Sequence, residues 1–227
     1  MSTLLKRMMG AAMVAAAALG FSATSAFAQS EQQVLVNQSE TTLSNFMRDP
    51  EMKWLQQNFG RAKAVMIAPE VVKAGFIFGG SGGRSLVVAK AGEKWVGPSF
   101  YTMATASVGF QAGVAVSEVV TLVMTDKGLN SLLAANFKMG GDASVAAGPV
   151  GAGAKSDIAA DLITFTRAKG VYGGLNLDGT LVNLSDEWNK AYFGKAVLPP
   201  DILIKANVSN KGADKLLAAV AKAASGK

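Results

Sequence analysis

From Ala64 onward the chain runs in short β-rich segments separated by glycines: Ala64–Ala68, Gly75–Phe78, Ser85–Lys90, Ser107–Val116 and Val119–Thr125. Runs this short fall below the length of a stable helix. Val, Ile and Thr are stiff at χ1 and suit a pleated surface, so the pattern predicts an antiparallel or mixed sheet. Gly79-Gly80-Ser81-Gly82-Gly83 reads as a hairpin loop, because glycine tolerates the positive φ of tight turns, and Ala91-Gly92-Glu93-Lys94 reads as a second. The small residues of Lys138–Gly153 predict a strand and loops where backbones approach closely. Ile158–Arg167 and Val171–Leu184 supply further strands, with Asp178-Gly179 as a turn.

Helices are expected on both sides of this core. Ser30 and Gln33 fit a capping box, followed by Val34, Leu35, Leu43, Phe46 and Met47 on one broad face. Asp49-Pro50 reads as an N-cap with proline at the first helical position, and Gly60 as the stop of a second, amphipathic helix with Met52, Leu55, Phe59 and Trp54 on its apolar side. Thr125-Asp126 caps a short helix through Leu129, Leu132 and Leu133. Ser185-Asp186-Glu187 caps another, which carries Trp188, Tyr192 and Phe193 and stops at Gly194. Gly212–Ala224 makes a C-terminal helix. The fold class is α+β, a glycine-rich, mostly antiparallel β core with N-terminal and C-terminal helices.

The first 28 residues read as a secretory signal: Lys6 and Arg7, an apolar run from Ala11 to Phe21, then Ala26-Phe27-Ala28. That run is about eleven residues, whereas a spanning helix needs roughly twenty. The expected organisation is signal peptide 1–28, N-terminal helix 29–48, a domain over 49–194, and a C-terminal strand/helix extension over 195–227 packed on that domain. The expected location is periplasmic or secreted, with peripheral membrane association. The segment 1–28 holds two of the 22 basic residues and none of the 16 acidic ones, so its removal lowers the net charge from +6 to +4. That excess attracts an anionic surface but lacks the dense basic stripe of a nucleic-acid binder.

The chain has no His and no Cys. This excludes Ser-His and Cys-His triads, His/Cys zinc sites, disulfides and attachment through an acylated cysteine. Gly79–Gly83 matches the G-x-S-x-G elbow, but Ser81 has no His to take its proton. Gly148 to Ser156 approaches a P-loop, yet Lys155 comes one residue late. Asp126, Asp142, Asp157 and Asp178 show no Ca²⁺-loop spacing, and no Asp/Glu pair is nominated for hydrolysis. The reading is of a non-enzymatic protein with no cofactor, metal, nucleotide or nucleic-acid partner.

Six ordered motifs carry a resemblance. They are Val71-Val72-Lys73-Ala74-Gly75-Phe76-Ile77-Phe78-Gly79-Gly80, Pro98-Ser99-Phe100, Ser107-Val108-Gly109-Phe110-Gln111-Ala112-Gly113, Leu122-Val123-Met124-Thr125-Asp126-Lys127-Gly128, Gly141–Gly151 and Gly170-Val171-Tyr172-Gly173-Gly174. Together they resemble the SYLF domain over roughly Asp49 to Gly194. The resemblance implies a β-rich domain that binds membrane phospholipid, phosphoinositides in eukaryotic relatives. For a secreted bacterial chain it implies anionic phospholipid in general.

The residues that fit such a partner are Lys53, Trp54 and Phe59, followed by Arg61, Lys63 and Lys73. An interfacial helix needs an apolar face at the headgroup boundary and cations to attract lipid. The competing reading packs the same apolar face on the chain's own core. Arg84, with Lys90 and Lys94 around the two proposed hairpins, and Arg167 with Lys169 form a second set that could hold a phosphate beside glycine amides. The expected partner is an anionic phospholipid surface, with an envelope protein partner as the alternative.

Overall fold

The computed structural model describes residues 30–75, 78–108, 113–151, 158–169 and 177–226. The secretory segment, the near-P-loop residues 152–157 with Asp157, and the turn at Gly170 lie outside the described residues. So do the links at 76–77 and 109–112.

Helix α1 (Glu31–Arg48) buries Leu35, Val36, Leu43 and Phe46, the stripe expected from its spacing. Asp49 caps the turn that follows, its Oδ1 accepting the Glu51 N–H at 3.0 Å. Helix α2 (Lys53–Asn58) then leads through Phe59–Arg61 into the sheet. Four long antiparallel strands follow: β1 (Ala64–Gly75), β2 (Phe78–Ala91), β3 (Lys94–Val108) and β4 (Gly113–Val123). After helix α3 (Asp126–Leu133) come β5 (Asn136–Lys138), β6 (Val145–Ala147), β7 (Leu162–Lys169) and β8 (Leu181–Leu184). Helices α4 (Asp186–Phe193), α5 (Pro199–Leu203) and α6 (Asp214–Ser225) close the chain. The sheet order is β5-β8-β3-β2-β1-β4-β7-β6, antiparallel except for the β6–β7 pair. The α+β expectation holds.

The sheet is buried on both faces over half its length. Val65, Ile67, Leu86, Val88, Phe100, Val120, Leu122, Ile163 and Phe165 pack beneath α1, α2, α4 and α6. Ala64, Met66, Val87, Tyr101, Val119, Val123 and Leu162 pack on the other side with Leu132, Phe137, Val182, Ile202 and Leu203. Double burial explains why Ala64–Ala68 and Leu86–Ala89 are continuous apolar runs. Capping is as expected at Thr125, whose Oγ1 accepts the Gly128 N–H at 3.1 Å. Gly194 ends α4 with a φ of +71°.

The glycine-rich segment differs from the expectation. Gly79–Gly83 is not a loop but the interior of β2, paired with Gly75–Val71 of β1 and with Ser107–Met103 of β3. Its glycines serve close approach. Pro69 cannot donate to the ladder, and the β1–β2 register shifts between Ile67 and Glu70. The shift brings the Glu70 carbonyl against Gly83, where a Cβ would overlap it. The true turn is Gly92-Glu93, with Ala91 opposite Lys94 and Gly92 at φ +62°. Gly60 likewise admits a neighbour: a Cβ there would lie 2.5 Å from the Ala224 carbonyl oxygen of α6.

Candidate functional site

The expected site residues divide between two ends of the sheet. Lys53 opens α2 and is exposed. Trp54, 7% exposed, stacks on Phe165 of β7 with ring centroids 5.9 Å apart, and fully buried Phe59 packs on Trp95 at 6.4 Å. The apolar face of α2 therefore packs on the chain's own core, the second of its two readings. Arg61 is exposed and donates from Nη1 to Asn58 Oδ1 at 2.8 Å. Half-buried Lys63 places Nζ 2.9 Å from Asp126 Oδ1, and its carbonyl accepts the Lys90 N–H at 2.8 Å. Lys90 and Lys94, both exposed, border the β2–β3 turn at this same end.

Lys73 and Arg84 lie toward the other end. Lys73 is half-buried opposite Ser81 and Ala115. The nine steps along β1 from Ala64 to Lys73 span roughly 30 Å, so these two cations are not gathered with Arg61 and Lys63. Arg84 is exposed, and its guanidinium carbon sits 3.9 Å from the ring centroid of Trp188 on α4. Trp188 in turn meets Phe100 edge-on at 5.9 Å. Aromatic packing thus fixes the cation's height above the sheet.

A charged row crosses the helix-covered face here. Glu70 stands opposite Arg84 on the next strand, and Glu118 opposite Arg167. Glu118, 3% exposed, accepts from Thr42 Oγ1 of α1 at 3.1 Å and has the Arg167 guanidinium 3.8 Å away. Arg167 also lies 3.9 Å from Asp49. These contacts tie α1 and the α1–α2 connection to β4 and β7.

Beyond that row the described residues on this face of the sheet are exposed or half-buried. Strand pairing aligns Val72, Gly82, Ala104 and Val116, then Ala74, Gly80, Ala106 and Val114. Alternation puts all eight on the face of Arg84 and Glu118. Val114 is 75% exposed and Val72 38% exposed. Ala74, Ala104 and Ala106 are exposed as well. The opposite face carries Lys73, Ser81 and Thr105, with Thr105 Oγ1 2.6 Å from Thr180 Oγ1. Sequence reasoning did not find this surface, though one signal was present: no charged residue occurs between Lys94 and Glu118, nor between Lys73 and Arg84.

The other polar cluster is structural. Asp161 accepts from Thr125 Oγ1 at 2.5 Å and from the N–H and Oγ of Ser144 at 2.9 and 2.8 Å, with Lys127 Nζ 3.6 Å away. These hydrogen bonds, foremost that from Thr125, hold its carboxyl down at about 2. It fastens β7 to the start of α3.

Residues 104–223 match the family model Ysc84, described as "Las17-binding protein actin regulator". The human SH3 domain-containing YSC84-like protein 1 is 30% identical over 149 residues, covering 63% of this chain and 43% of that protein. Protein YSC84 of Saccharomyces cerevisiae is 30% identical over 142 residues, covering 59% of this chain and 30% of that protein. LAS seventeen-binding protein 3 of the same species is 29% identical, with 59% and 31% covered. The chain thus spans less than half the length of these relatives. No solved structure matches it significantly.

Proposed function

Because the chain belongs to the Ysc84 family, we propose that it is a non-enzymatic binding module of the cell envelope that associates reversibly with anionic phospholipid through a basic surface. The observation that carries this reading is Arg84, exposed and held over Trp188 beside a face on which the central strands β1–β4 carry no charge past the row of Glu70, Arg84 and Glu118. Cations preset at the border of an apolar surface suit a layer that is anionic outside and hydrocarbon within. Lys53, Arg61, Lys63 and Lys73 supply the wider positive field. Each cation near such a surface contributes on the order of 1 kcal/mol, so the binding is weak and salt-sensitive. The family description names a binding protein and regulator, and LAS seventeen-binding protein 3 is named for binding, which agrees with a chain that lacks His and Cys.

Co-sedimentation tests the proposal, using the chain from Gln29 onward, which holds the whole compact unit Glu31–Lys227. Binding to phosphatidylglycerol or cardiolipin vesicles, lost at high salt and absent from phosphatidylcholine, is expected. No binding to any vesicle would overturn it in favour of a protein partner, the reading that the name of LAS seventeen-binding protein 3 favours.

A further inference from the structure

We infer that the part of the molecule that enters the lipid is the bare sheet face beyond the charged row, built on Val72, Ala74, Ala106 and Val114, and not helix α2. The inference rests on the lipid-binding reading above and assigns its contact surface.

Composition is the first argument. On the central strands pairing assembles eight Val, Ala and Gly residues on this face, with no polar side-chain atom among them, and β7 places Lys169 beside them opposite Val116. Exposed sheet ends in water are ordinarily defended by charge, above all lysine. Here the central strands β1–β4 lack that defence on one face, whereas their reverse side carries Lys73, Ser81 and Thr105. The extension is thus amphipathic across its thickness. An apolar face can lie in the interface with the hydroxyl-bearing face turned to the headgroups and water.

Charge is the second. At the edge of the bare face stand Arg84, exposed, and Arg167, whose side chain is 41% exposed. Lys73 flanks it on the reverse side. Of the acids in the row, Glu118 is buried and engaged by Thr42 and Arg167, which leaves Glu70 as the exposed one. Within the row each arginine faces an acid, Arg84 opposite Glu70 and Arg167 opposite Glu118, so the further cations at this end are Lys73 on the reverse side and Lys169 of β7, opposite Val116. Arg84, resting on Trp188, combines a cation with an interfacial aromatic. Helix α2 offers no comparable surface, because Trp54, Leu55 and Phe59 are spent on the core.

The chain has no cysteine, so single labels are unambiguous. Val114→Cys and, as the comparison, Lys53→Cys are each coupled to an environment-sensitive fluorophore and mixed with phosphatidylglycerol vesicles. A blue shift and protection from aqueous iodide at position 114, with neither at 53, is the expected result. Both sites are exposed, so the fold should tolerate the changes. A shift at 53 but not at 114, with the protein sedimenting on vesicles, would overturn this assignment and leave lipid binding intact. No sedimentation of either protein would refute the lipid reading itself. A shift at 114 without vesicles, growing with protein concentration, would mean that a second copy covers the face and would also overturn the inference. As an independent measure, Val114→Asp should lower vesicle binding about tenfold or more. Its circular dichroism should match the parent's, and unchanged binding would again refute the assignment.

Discussion

Replacing Gly83 by Ala tests how the glycine-rich strand is built. Glycine to alanine in a solvated, unstrained segment stabilises a protein by about 0.4–1 kcal/mol, because the unfolded chain loses freedom. At Gly83 the new Cβ would overlap the Glu70 carbonyl oxygen and stand 3.2 Å from both the Glu70 carbonyl carbon and the Val71 Cα. All three are backbone atoms of the neighbouring strand, which the pairs Ala68–Val119 and Val71–Ser117 of the β1–β4 ladder hold on either side of Glu70. The strands must therefore part, and overpacking of this kind costs about 1–3 kcal/mol. Offsetting the chain-entropy gain leaves a net loss of roughly 1–2 kcal/mol, a fall in Tm of about 2–8 °C for a domain of this size. Gly82→Ala, one residue away, meets only the Met103 carbonyl oxygen at 3.3 Å and should stay within about 0.5 kcal/mol of the parent. Guanidinium unfolding followed by circular dichroism, with unchanged m, separates the two. A Gly83→Ala protein as stable as the parent would refute the bulge-to-glycine packing and restore the loop reading of this segment.

Other consequences follow from individual contacts. Gly60→Ala should destabilise by about 1–3 kcal/mol, because its Cβ would press on the Ala224 carbonyl, and protease susceptibility near the C-terminus should rise with it. Asp161→Asn should lower stability near pH 7, where the carboxylate holds Thr125 and Ser144. The native carboxyl titrates at about 2 against an ordinary 3.8, so its contribution is full above about pH 4 and lost as pH falls through 2. The gap between variant and parent should therefore close over that window, and a constant gap would contradict the assignment. Arg84→Glu should weaken binding to phosphatidylglycerol vesicles roughly tenfold, and more than Lys53→Glu with Arg61→Glu together, measured by co-sedimentation at low salt.

Local chemistry made much of this protein readable from its residues alone. The stripe of Leu35, Leu43 and Phe46, the Thr125 cap, the Gly92 turn and the Gly194 stop each depend on neighbours within a few positions, so periodicity and capping rules reached them. The α+β class, and the lack of His and Cys that removes whole families of chemistry, were legible for the same reason. What failed was the inference from glycine to turn at Gly79–Gly83. Glycine serves both positive φ and close approach, and the choice depended on a bulge in another strand. Helix α2 was ambiguous in a similar way: Trp54 and Phe59 show an apolar face at the right spacing, but only Phe165 and Trp95, brought from distant strands, decided that it turns inward. The bare face is the clearest case. Its charge gaps are written in the sequence, yet Val72, Gly82, Ala104 and Val116 become one surface only through register across four strands. Register is set by side chains far apart in the chain meeting in space, and that meeting belongs to the tertiary structure.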